Sequence, residues 1–272
     1  MGDILLARIG EFDTDSWFRA TSSWSELCLA MGCTRVIFPG SSGHFYDVNA
    51  TGTFYNFVHV QEPSTCPIET IQAEFARRGL PFAVRIPRRE SYLGFVESLY
   101  SKNFLLVPVW IMMRHENEFG ERSPKVVVAE IDRSHLSEWI GTSNIPDLPD
   151  IHRVTQREMI SRAFLTKSIR LLLATYDNKP AGTALLFLKD RIGSIHFVAT
   201  RPEFRRKRVA TTVVLEAINR LEDEGVDFVW LRTRKGGIGE QVYLQIGFKP
   251  FADILTYSKT PDLDSQSVMA RL

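Results

Sequence analysis

Along residues 126–259, apolar and polar positions alternate in a pattern that predicts strands and helices in a definite order. Short, turn-prone connectors separate three closely spaced apolar runs, which is typical of an antiparallel meander of strands. The long helix that follows has one apolar face and stops at Gly225. The predicted elements are strands at 126–131, 169–176, 181–189, 193–200, 227–233 and 252–259, and helices at about 155–164, 208–224 and 239–246.

The first half of the chain shows a fainter version of the same order. Its predicted elements are strands at 53–61, 81–87 and 104–113, and helices at 68–79 and 91–103. The order over 68–113 mimics that over 208–259, with Asn103-Phe104 where the second half has Gly247-Phe248. An internal duplication explains this likeness, and chance alternation of helices and strands is the alternative.

A polar stretch separates the two halves. The sequence HENEFGERSPK at 115–125 contains Gly120 and Pro124, a composition typical of a linker. We therefore predict an N-terminal domain at 1–118, a linker at 119–125 and a second domain at 126–272.

Composition describes a soluble globular chain that is long enough for one large domain or two ordinary ones. It has 272 residues, 44% hydrophobic and 24% charged, and a mean hydropathy of −0.09. Its 33 Lys and Arg residues balance 32 Asp and Glu residues, so we expect no nucleic-acid partner and only a local role for basic charge. No 18-residue apolar run and no signal-like N-terminus is present, so we expect neither membrane insertion nor secretion.

The cysteines add an expectation about the compartment. Cys28, Cys33 and Cys66 are odd in number and form no metal-spaced set with the histidines. We therefore predict no metal site and a reduced, cytoplasmic protein.

Positive charge is concentrated where the strand at 193–200 gives way to the helix at 208–224. Four consecutive basic residues stand there: Arg205, Arg206, Lys207 and Arg208. A helix N-terminus presents unpaired backbone N–H groups and the positive end of the helix dipole, so the junction suits a phosphate or pyrophosphate. Positive charge at this end is unfavourable for the helix itself, which favours a ligand over the alternative of a solvated basic face.

Two segments resemble the motifs of one enzyme superfamily. VATRPEFRRKRVA, residues 198–210, resembles the acyl-CoA-binding motif of the GCN5-related N-acetyltransferase (GNAT) superfamily, whose core is [QR]-x-x-G-x-[GA]. Arg205 takes the first place of that core and Ala210 the last. GEQVYLQIGF, residues 239–248, is similar to a second motif with a tyrosine four residues before Gly-Phe. The resemblance implies an α+β fold with two GNAT-like domains, each a mixed, mostly antiparallel sheet flanked by helices, the first being degenerate.

The resemblance also implies acetyl-CoA as cofactor. In such proteins two strands splay apart, and the pantetheine arm hydrogen-bonds along one of them as an added strand. The cofactor-binding residues that this implies are Phe197, Val198, Ala199, Thr200, Arg205, Arg206, Lys207, Arg208, Val209, Ala210 and Thr211. The Val198 N–H is the group expected to point at the thioester oxygen. Arg208 departs from the motif, because it stands at the first glycine, and there it either pairs with a phosphate or narrows the site.

Tyr243 and His196 are the candidate catalytic residues. The phenol of Tyr243 has an ordinary pKa of about 10 and can protonate the leaving thiolate, the alternative being a core tyrosine. His196 suits deprotonation of an amine near neutral pH, and arylalkylamine N-acetyltransferases carry a histidine at the same offset; the alternative is a structural histidine. Strand alternation places His196 on the same face as Ser194 and Val198, opposite Phe197.

Two further segments carry open alternatives. The loop Gly236-Gly237-Ile238-Gly239 either lets the chain run close to the ligand or forms a flexible turn. The strand-to-helix junction of the first half, QEPSTCPIET, has no basic residue, so we expect that half to supply a wall of the acceptor site or a packing partner. Its aromatic residues line an acceptor pocket or belong to the core: Phe45, Tyr46, Phe54, Tyr55 and Phe57.

The sequence therefore predicts an acetyl-CoA-dependent N-acetyltransferase. The expected acceptor is a primary amine of a small molecule, attacked directly in a ternary complex by a monomer or homodimer. Two alternatives stay open: a non-catalytic acyl-CoA-binding or regulatory module, favoured by Arg208 and by the absence of an asparagine from the 236–239 loop, and an acyltransferase with a non-acetyl donor.

Overall fold

The computed structural model describes residues 12–46, 53, 55–107, 109–116, 120–143 and 150–259, apart from the side chains of 150–152. Phe54 therefore lies outside the described residues. The helices are α1 (Thr14–Ala30), α2 (Ile68–Arg77), α3 (Leu93–Ser101), α4 (Leu136–Ser143), α5 (Asp150–Ala163), α6 (Val209–Asp223) and α7 (Ile238–Ile246). The strands are β1 (Thr34–Phe38), β2 (Ser41–Phe45), β3 (Phe57–Val60), β4 (Ala83–Pro87), β5 (Leu105–Leu106), β6 (Trp110–His115), β7 (Val126–Glu130), β8 (Ile169–Tyr176), β9 (Lys179–Lys189), β10 (Ile192–Thr200), β11 (Phe228–Arg234) and β12 (Phe248–Ser258).

The helices and strands predicted from the hydrophobic pattern are confirmed, with ends shifted by a few residues and the strand at 104–113 divided into β5 and β6. Three features were not predicted: α1, the β1–β2 hairpin and α4. In α1, Asp13 caps the helix by accepting a 3.1 Å hydrogen bond from the Ser16 N–H. Serines and threonines dilute the apolar stripe of α1, which hides its helical period. No described helix is both long and apolar enough to cross a bilayer.

The described strands form one mixed, mostly antiparallel sheet. Its order is β1-β2-β3-β4-β12-β6-β11-β10-β9-β8-β7, with β5 paired to β12. The predicted meander of β8, β9 and β10 is antiparallel, and β7 extends it at the edge. Each half contains one parallel pair, β3 with β4 and β10 with β11, connected through α2 and α6 respectively.

The two halves exchange strands at the centre of this sheet. β6, from the first half, lies between β11 and β12 of the second half and pairs antiparallel with both. β12 in turn pairs antiparallel with β4 of the first half. The backbone hydrogen bonds of each half therefore depend on a strand from the other.

Helices cover both faces of the sheet. Apolar residues of α1, α4 and α5 form one core against one face, while those of α2, α3, α6 and α7 pack on the opposite face. We call the face under α1, α4 and α5 the trough. It is strongly curved, because Trp24 of α1 lies 6.4 Å from the Phe57 ring on β3 and 5.1 Å from the His196 ring on β10. In a flat sheet strands five places apart are separated by about 24 Å.

Two glycines let α6 approach the sheet closely. A Cβ on Gly182 of β9 would lie 2.7 Å from Val209 Cγ1, at the start of α6, and 2.8 Å from the Ala199 carbonyl oxygen. A Cβ on Gly193 of β10 would lie 2.8 Å from Leu221 Cδ1, near the end of α6. These contacts fix the height of α6, and hence of its N-terminus, above β9 and β10.

Candidate functional site

The parallel strands β10 and β11 separate near their C-terminal ends. Their pairing runs only from Ile192 opposite Phe228 to Ile195 opposite Leu231. Beyond this point β10 stays with β9 as far as Thr200, and β11 stays with β6 as far as Arg234. Beyond Ile195, the edge of β10 that faces β11 therefore has no partner among the described strands, and we call this opening the cleft.

A bulge in β10 shapes one wall of the cleft. The register with β9 shifts between His196 and Ala199, and Phe197 has a φ of +49°. The Thr183 hydroxyl holds the bulge by donating a 2.9 Å hydrogen bond to the Phe197 carbonyl. Strand alternation is lost here, so Phe197 packs in the trough, near Trp139, while Val198 packs on the opposite face.

The bulge corrects one sequence-based prediction. His196 shares a face with Ser194, as expected, because their Nε2 and Oγ atoms are 2.8 Å apart and share a hydrogen bond. Placing Val198 on that face and Phe197 on the other was wrong, because the extra residue in the bulge reverses the alternation after His196.

The N-terminus of α6 lies at the end of β10 and presents a run of unused donors. Among the described residues, no backbone N–H from 206 to 211 donates to another backbone group, and the first to do so is Thr212, to the Arg208 carbonyl at 2.9 Å. Arg206 and Arg208 have φ values of +61° and +58°. Left-handed residues within a turn direct successive N–H groups to one side, which suits an anion. We call residues 206–211 the cradle.

The side chains of the basic run are exposed, and two of them contact other residues. The Arg208 guanidinium forms an ion pair with Glu121, from the segment between the halves. The Lys207 ammonium lies 4.9 Å from the centre of the Tyr176 ring. Among the described residues, neither Arg205 nor Arg206 forms an ion pair. In this structure the Arg208 side chain therefore turns toward Glu121, and the charges of Arg205 and Arg206 remain available.

Tyr243 lies on the α6 and α7 side of the cleft. It is buried, packs 5.9 Å from the Phe248 ring, and its ring edge lies beside Gly239 and Thr233. Burial raises the pKa of the Tyr243 phenol, so the group is protonated at neutral pH. Its hydroxyl makes no hydrogen bond to any described residue.

The glycines before Tyr243 serve different purposes. Gly236 adopts a left-handed turn with a φ of +76°. Gly239 has a close packing role instead, since a Cβ there would lie 2.5 Å from the Thr233 Oγ1 on β11. Gly239 thus lets the first turn of α7 contact the strand that borders the cleft.

His196 lies in the trough, on the other side of the sheet from Tyr243. Its ring is 5.1 Å from the Trp24 ring and 5.5 Å from the Trp230 ring, and only 7% of the residue is exposed. Burial, with a smaller contribution from the nearby Arg232, lowers its pKa well below the usual value. The imidazole is therefore neutral at pH 7.

A side chain contacts the corresponding strand end in the first half. The Tyr92 hydroxyl lies 2.7 Å from the carbonyl oxygen of Gln61 and 3.1 Å from that of Val60, where β3 ends. The phenol donates its proton there. The carbonyl groups where β3 ends are therefore already contacted by a side chain of the same half.

Residues of the first half that border the trough were largely missed by sequence reasoning. Phe45 belongs to the core on the opposite face, and Tyr46, Tyr55 and Phe57 are buried in the trough core. The aromatic residue of the first half that contacts His196 is Trp24. The only signal for Trp24 was the diluted apolar stripe of α1.

Arg232 was also missed. It is the first residue of β11 beyond the last β10–β11 pair, and its Cζ lies 3.7 Å from the centre of the Trp24 ring. Arg232 lies at the cleft because β10 and β11 separate just before it. The hydrophobic pattern of β11 alone does not show where that separation occurs.

Comparisons with known proteins agree with this architecture. Residues 128–248 match the model of the acetyltransferase (GNAT) family. No curated protein sequence gives a significant match. Among solved structures, a GCN5-related N-acetyltransferase from Kribbella flavida is 16% identical, with a TM-score of 0.68, over 88% of this chain and 94% of that one.

Two other solved structures are similar over both halves. A conserved protein of unknown function from Staphylococcus epidermidis is 12% identical, with a TM-score of 0.65, over 84% of this chain and 94% of its own. A tandem GNAT protein from the clavulanic acid biosynthesis pathway is 10% identical, with a TM-score of 0.54, over 82% and 79%. These likenesses concern the fold, and they extend across both halves. Residues 128–248 therefore form a domain of the GNAT acetyltransferase family.

Proposed function

We propose that the protein transfers an acetyl group from acetyl-CoA to a primary amine of a small molecule, by direct attack in a ternary complex at the cleft. Acyl transfer from acyl-CoA is the chemistry of the family. The observation that carries the proposal is the cradle: its N–H groups from 206 to 211 have no backbone acceptor among the described residues and stand beside the open edge of β10.

The residues present fit coenzyme A. The N–H groups of the cradle suit the diphosphate, and the exposed guanidiniums of Arg205 and Arg206 add charge for phosphate oxygens. The backbone of 197–200 on β10 offers the pantetheine arm an edge that β11 has left. When bound, acetyl-CoA supplies an activated acyl thioester.

Tyr243 is the proposed proton donor, on the α7 side of the cleft. Its phenol keeps its proton at neutral pH, because burial raises its pKa, and no described residue uses its hydroxyl. A leaving thiolate at the cleft would be a far better acceptor of that proton than water. The tyrosine in this role would stabilise the departing sulfur.

His196 is the proposed proton acceptor, on the trough side of the sheet. Because burial keeps its imidazole neutral, it is able to take a proton at pH 7, although the same burial makes it a weaker base than an exposed histidine. Its hydrogen bond with Ser194 orients the ring. An amine that enters from the trough would meet His196 across the sheet from Tyr243.

Thiol release from acetyl-CoA in the presence of a panel of primary amines tests this function. Tyr243→Phe should lower kcat by about 100-fold or more, with coenzyme A affinity changed less than twofold, because only proton donation is lost. Tyr257→Phe is the matched control. Tyr257 is a buried tyrosine of β12 at the point where this strand pairs with β4 of the first half, away from the cleft. Coenzyme A binding without thiol release from acetyl-CoA or longer acyl-CoA donors would identify a non-catalytic binding module instead. Release only from longer donors would reject acetyl as the group transferred.

A further inference from the structure

Several buried polar atoms in the trough have no hydrogen-bond partner in the part of the chain that the structure describes. Among the described residues these atoms come from five different elements around it: Trp24 Nε1, His44 Nδ1, His59 Nε2, Trp230 Nε1 and Thr256 Oγ1. Buried polar groups in folded proteins are nearly always satisfied, and each one left without a partner costs about 1–3 kcal/mol. Five such atoms facing one region offer hydrogen bonds to a polar molecule that enters it.

These atoms form a continuous region that reaches the cleft. Trp24 contacts His196 at the cleft and Phe57 deeper in the trough. The Phe57 ring lies 4.9 Å from both the His44 ring and the His59 ring. A molecule bound here would therefore extend from the cleft into the first half of the protein.

The groups in this region are mainly hydrogen-bond donors. The indole N–H groups of Trp24 and Trp230 only donate. Arg35 donates a 3.2 Å hydrogen bond to the Ser25 hydroxyl, whose own proton is then available for His44 Nε2 at 2.7 Å. With the Ser25 hydroxyl as donor to Nε2, the neutral His44 carries its imidazole proton on Nδ1, where it is a further donor.

Positive charge lies among these donors. The Arg232 Cζ stands 3.7 Å above the Trp24 ring, at the cleft, and the Arg85 Cζ stands 3.9 Å above the Phe57 ring, deeper in the trough. Each guanidinium carries five N–H donors in a planar arrangement that matches a carboxylate. Arg85 is only 3% exposed, so its charge acts in a medium that screens little.

We propose that the acceptor amine also carries a carboxylate, which the trough receives between the guanidiniums of Arg85 and Arg232 and the indole N–H of Trp24. This inference rests on the proposed function, because it names the class of amine that the cleft accepts. It identifies the acceptor as an amino acid or a short peptide with a free carboxylate. The amine of such a molecule would lie toward His196, and its acidic end deeper in the trough.

Indole N–H resonances test this directly, without any need for turnover. The full chain, labelled with ¹⁵N-tryptophan and saturated with coenzyme A, is titrated with phenylalanine, leucine, lysine and glycylglycine. Each amino acid is paired with its decarboxylated amine: 2-phenylethylamine, 3-methylbutylamine and cadaverine. Trp24→Phe and Trp230→Phe assign the two resonances.

At least one carboxylated member should shift both resonances in a saturable way and bind at least about 10-fold more tightly than its decarboxylated partner. Arg232→Gln should weaken that binding at least about 10-fold and leave the decarboxylated amine unaffected. Arg170→Gln, at a half-buried arginine on β8 that pairs with Glu130, is the control and should leave both unchanged.

Equal binding of both members of every pair would overturn the proposal, and so would shifts that Arg232→Gln does not alter. Absence of any shift would mean that the trough holds only water, which also overturns it. A different result would reject the proposed function itself: coenzyme A does not bind, or no amine elicits thiol release from acetyl-CoA. A protein that acetylates amines without regard to a carboxylate would keep its function and reject this inference.

Discussion

Arg206 and Arg208 both adopt left-handed backbone conformations, at the turn from which α6 begins. Such a conformation costs an L-residue about 1–2 kcal/mol, so it is retained only where the surrounding structure requires it. The acyl-CoA-binding motif that this segment resembles has glycine at position 208, and the φ of +58° supplies a reason for it. Arg208 adopts this strained left-handed conformation, and its backbone N–H group remains part of the cradle.

Arg208→Gly should raise the free energy of unfolding by about 1 kcal/mol or less. Relief of the left-handed strain outweighs both the loss of an exposed ion pair with Glu121 and the greater flexibility of glycine in the unfolded chain. Urea denaturation measures this change, and Glu121→Gln isolates the share of the ion pair. Coenzyme A affinity should stay within about threefold, because the cradle N–H groups remain. A tenfold loss would show instead that the guanidinium itself binds the cofactor.

The position of α6 relative to the sheet sets the position of the cradle. Gly182 and Gly193 lie under opposite ends of this helix, and both are in close contact with its side chains. The two glycines therefore form a matched pair, one near the candidate site and one remote from it.

Gly182→Ala and Gly193→Ala should each destabilise the protein by about 1–3 kcal/mol, because the added methyl group overlaps Val209 or Leu221. Only Gly182→Ala should also weaken coenzyme A binding, by about 10-fold, since it displaces the first turn of α6. Chemical denaturation and calorimetry on both variants provide the comparison. Equal loss of affinity in the two variants would contradict a specific role for the N-terminal end of α6.

Local sequence patterns predicted most strands, helices and motifs of the second half. The features that they did not predict arise from contacts between residues far apart in the sequence. The apolar runs, the basic junction and the Tyr243 to Gly247-Phe248 spacing are all local, so they were readable. The bulge at Phe197 arises from pairing with β9, and it reversed the predicted face of the two residues after His196. Trp24 and Arg232 meet because α1 packs on the trough face of β11, a contact between residues far apart in the sequence.

The exchange of β6 and β12 joins the halves into one hydrogen-bonded sheet, and the curvature of that sheet encloses polar groups from both. Among the described residues, three histidines are buried along the trough: His44, His59 and His196. Burial lowers the pKa of His44 to about 4 and lowers the pKa of the other two well below the usual value. Folding therefore keeps these side chains neutral.

Stability should consequently fall as the pH drops from 7 to 5.5. In this range the unfolded chain, with histidine pKa values of about 6.5, binds protons that the folded chain excludes. Each excluded proton contributes up to about 1.4 kcal/mol per pH unit to the free energy of unfolding. His59→Gln should make this dependence shallower by up to about 1.4 kcal/mol per pH unit, because one excluded proton is lost. Urea denaturation across this pH range would refute the account if the slope were flat or insensitive to His59.

Calorimetric titration with coenzyme A tests most directly whether the start of α6 receives a diphosphate. We expect saturable heat for the unaltered protein and none for pantetheine, which lacks the diphosphate. Ala210→Glu places a carboxylate in the cradle, at a helix end that tolerates acidic side chains, and should weaken binding at least about 10-fold by charge repulsion. Ala73→Glu, at an exposed position of α2, should bind as the unaltered protein does. No heat with coenzyme A, or equal affinity for the two glutamate variants, would contradict the account.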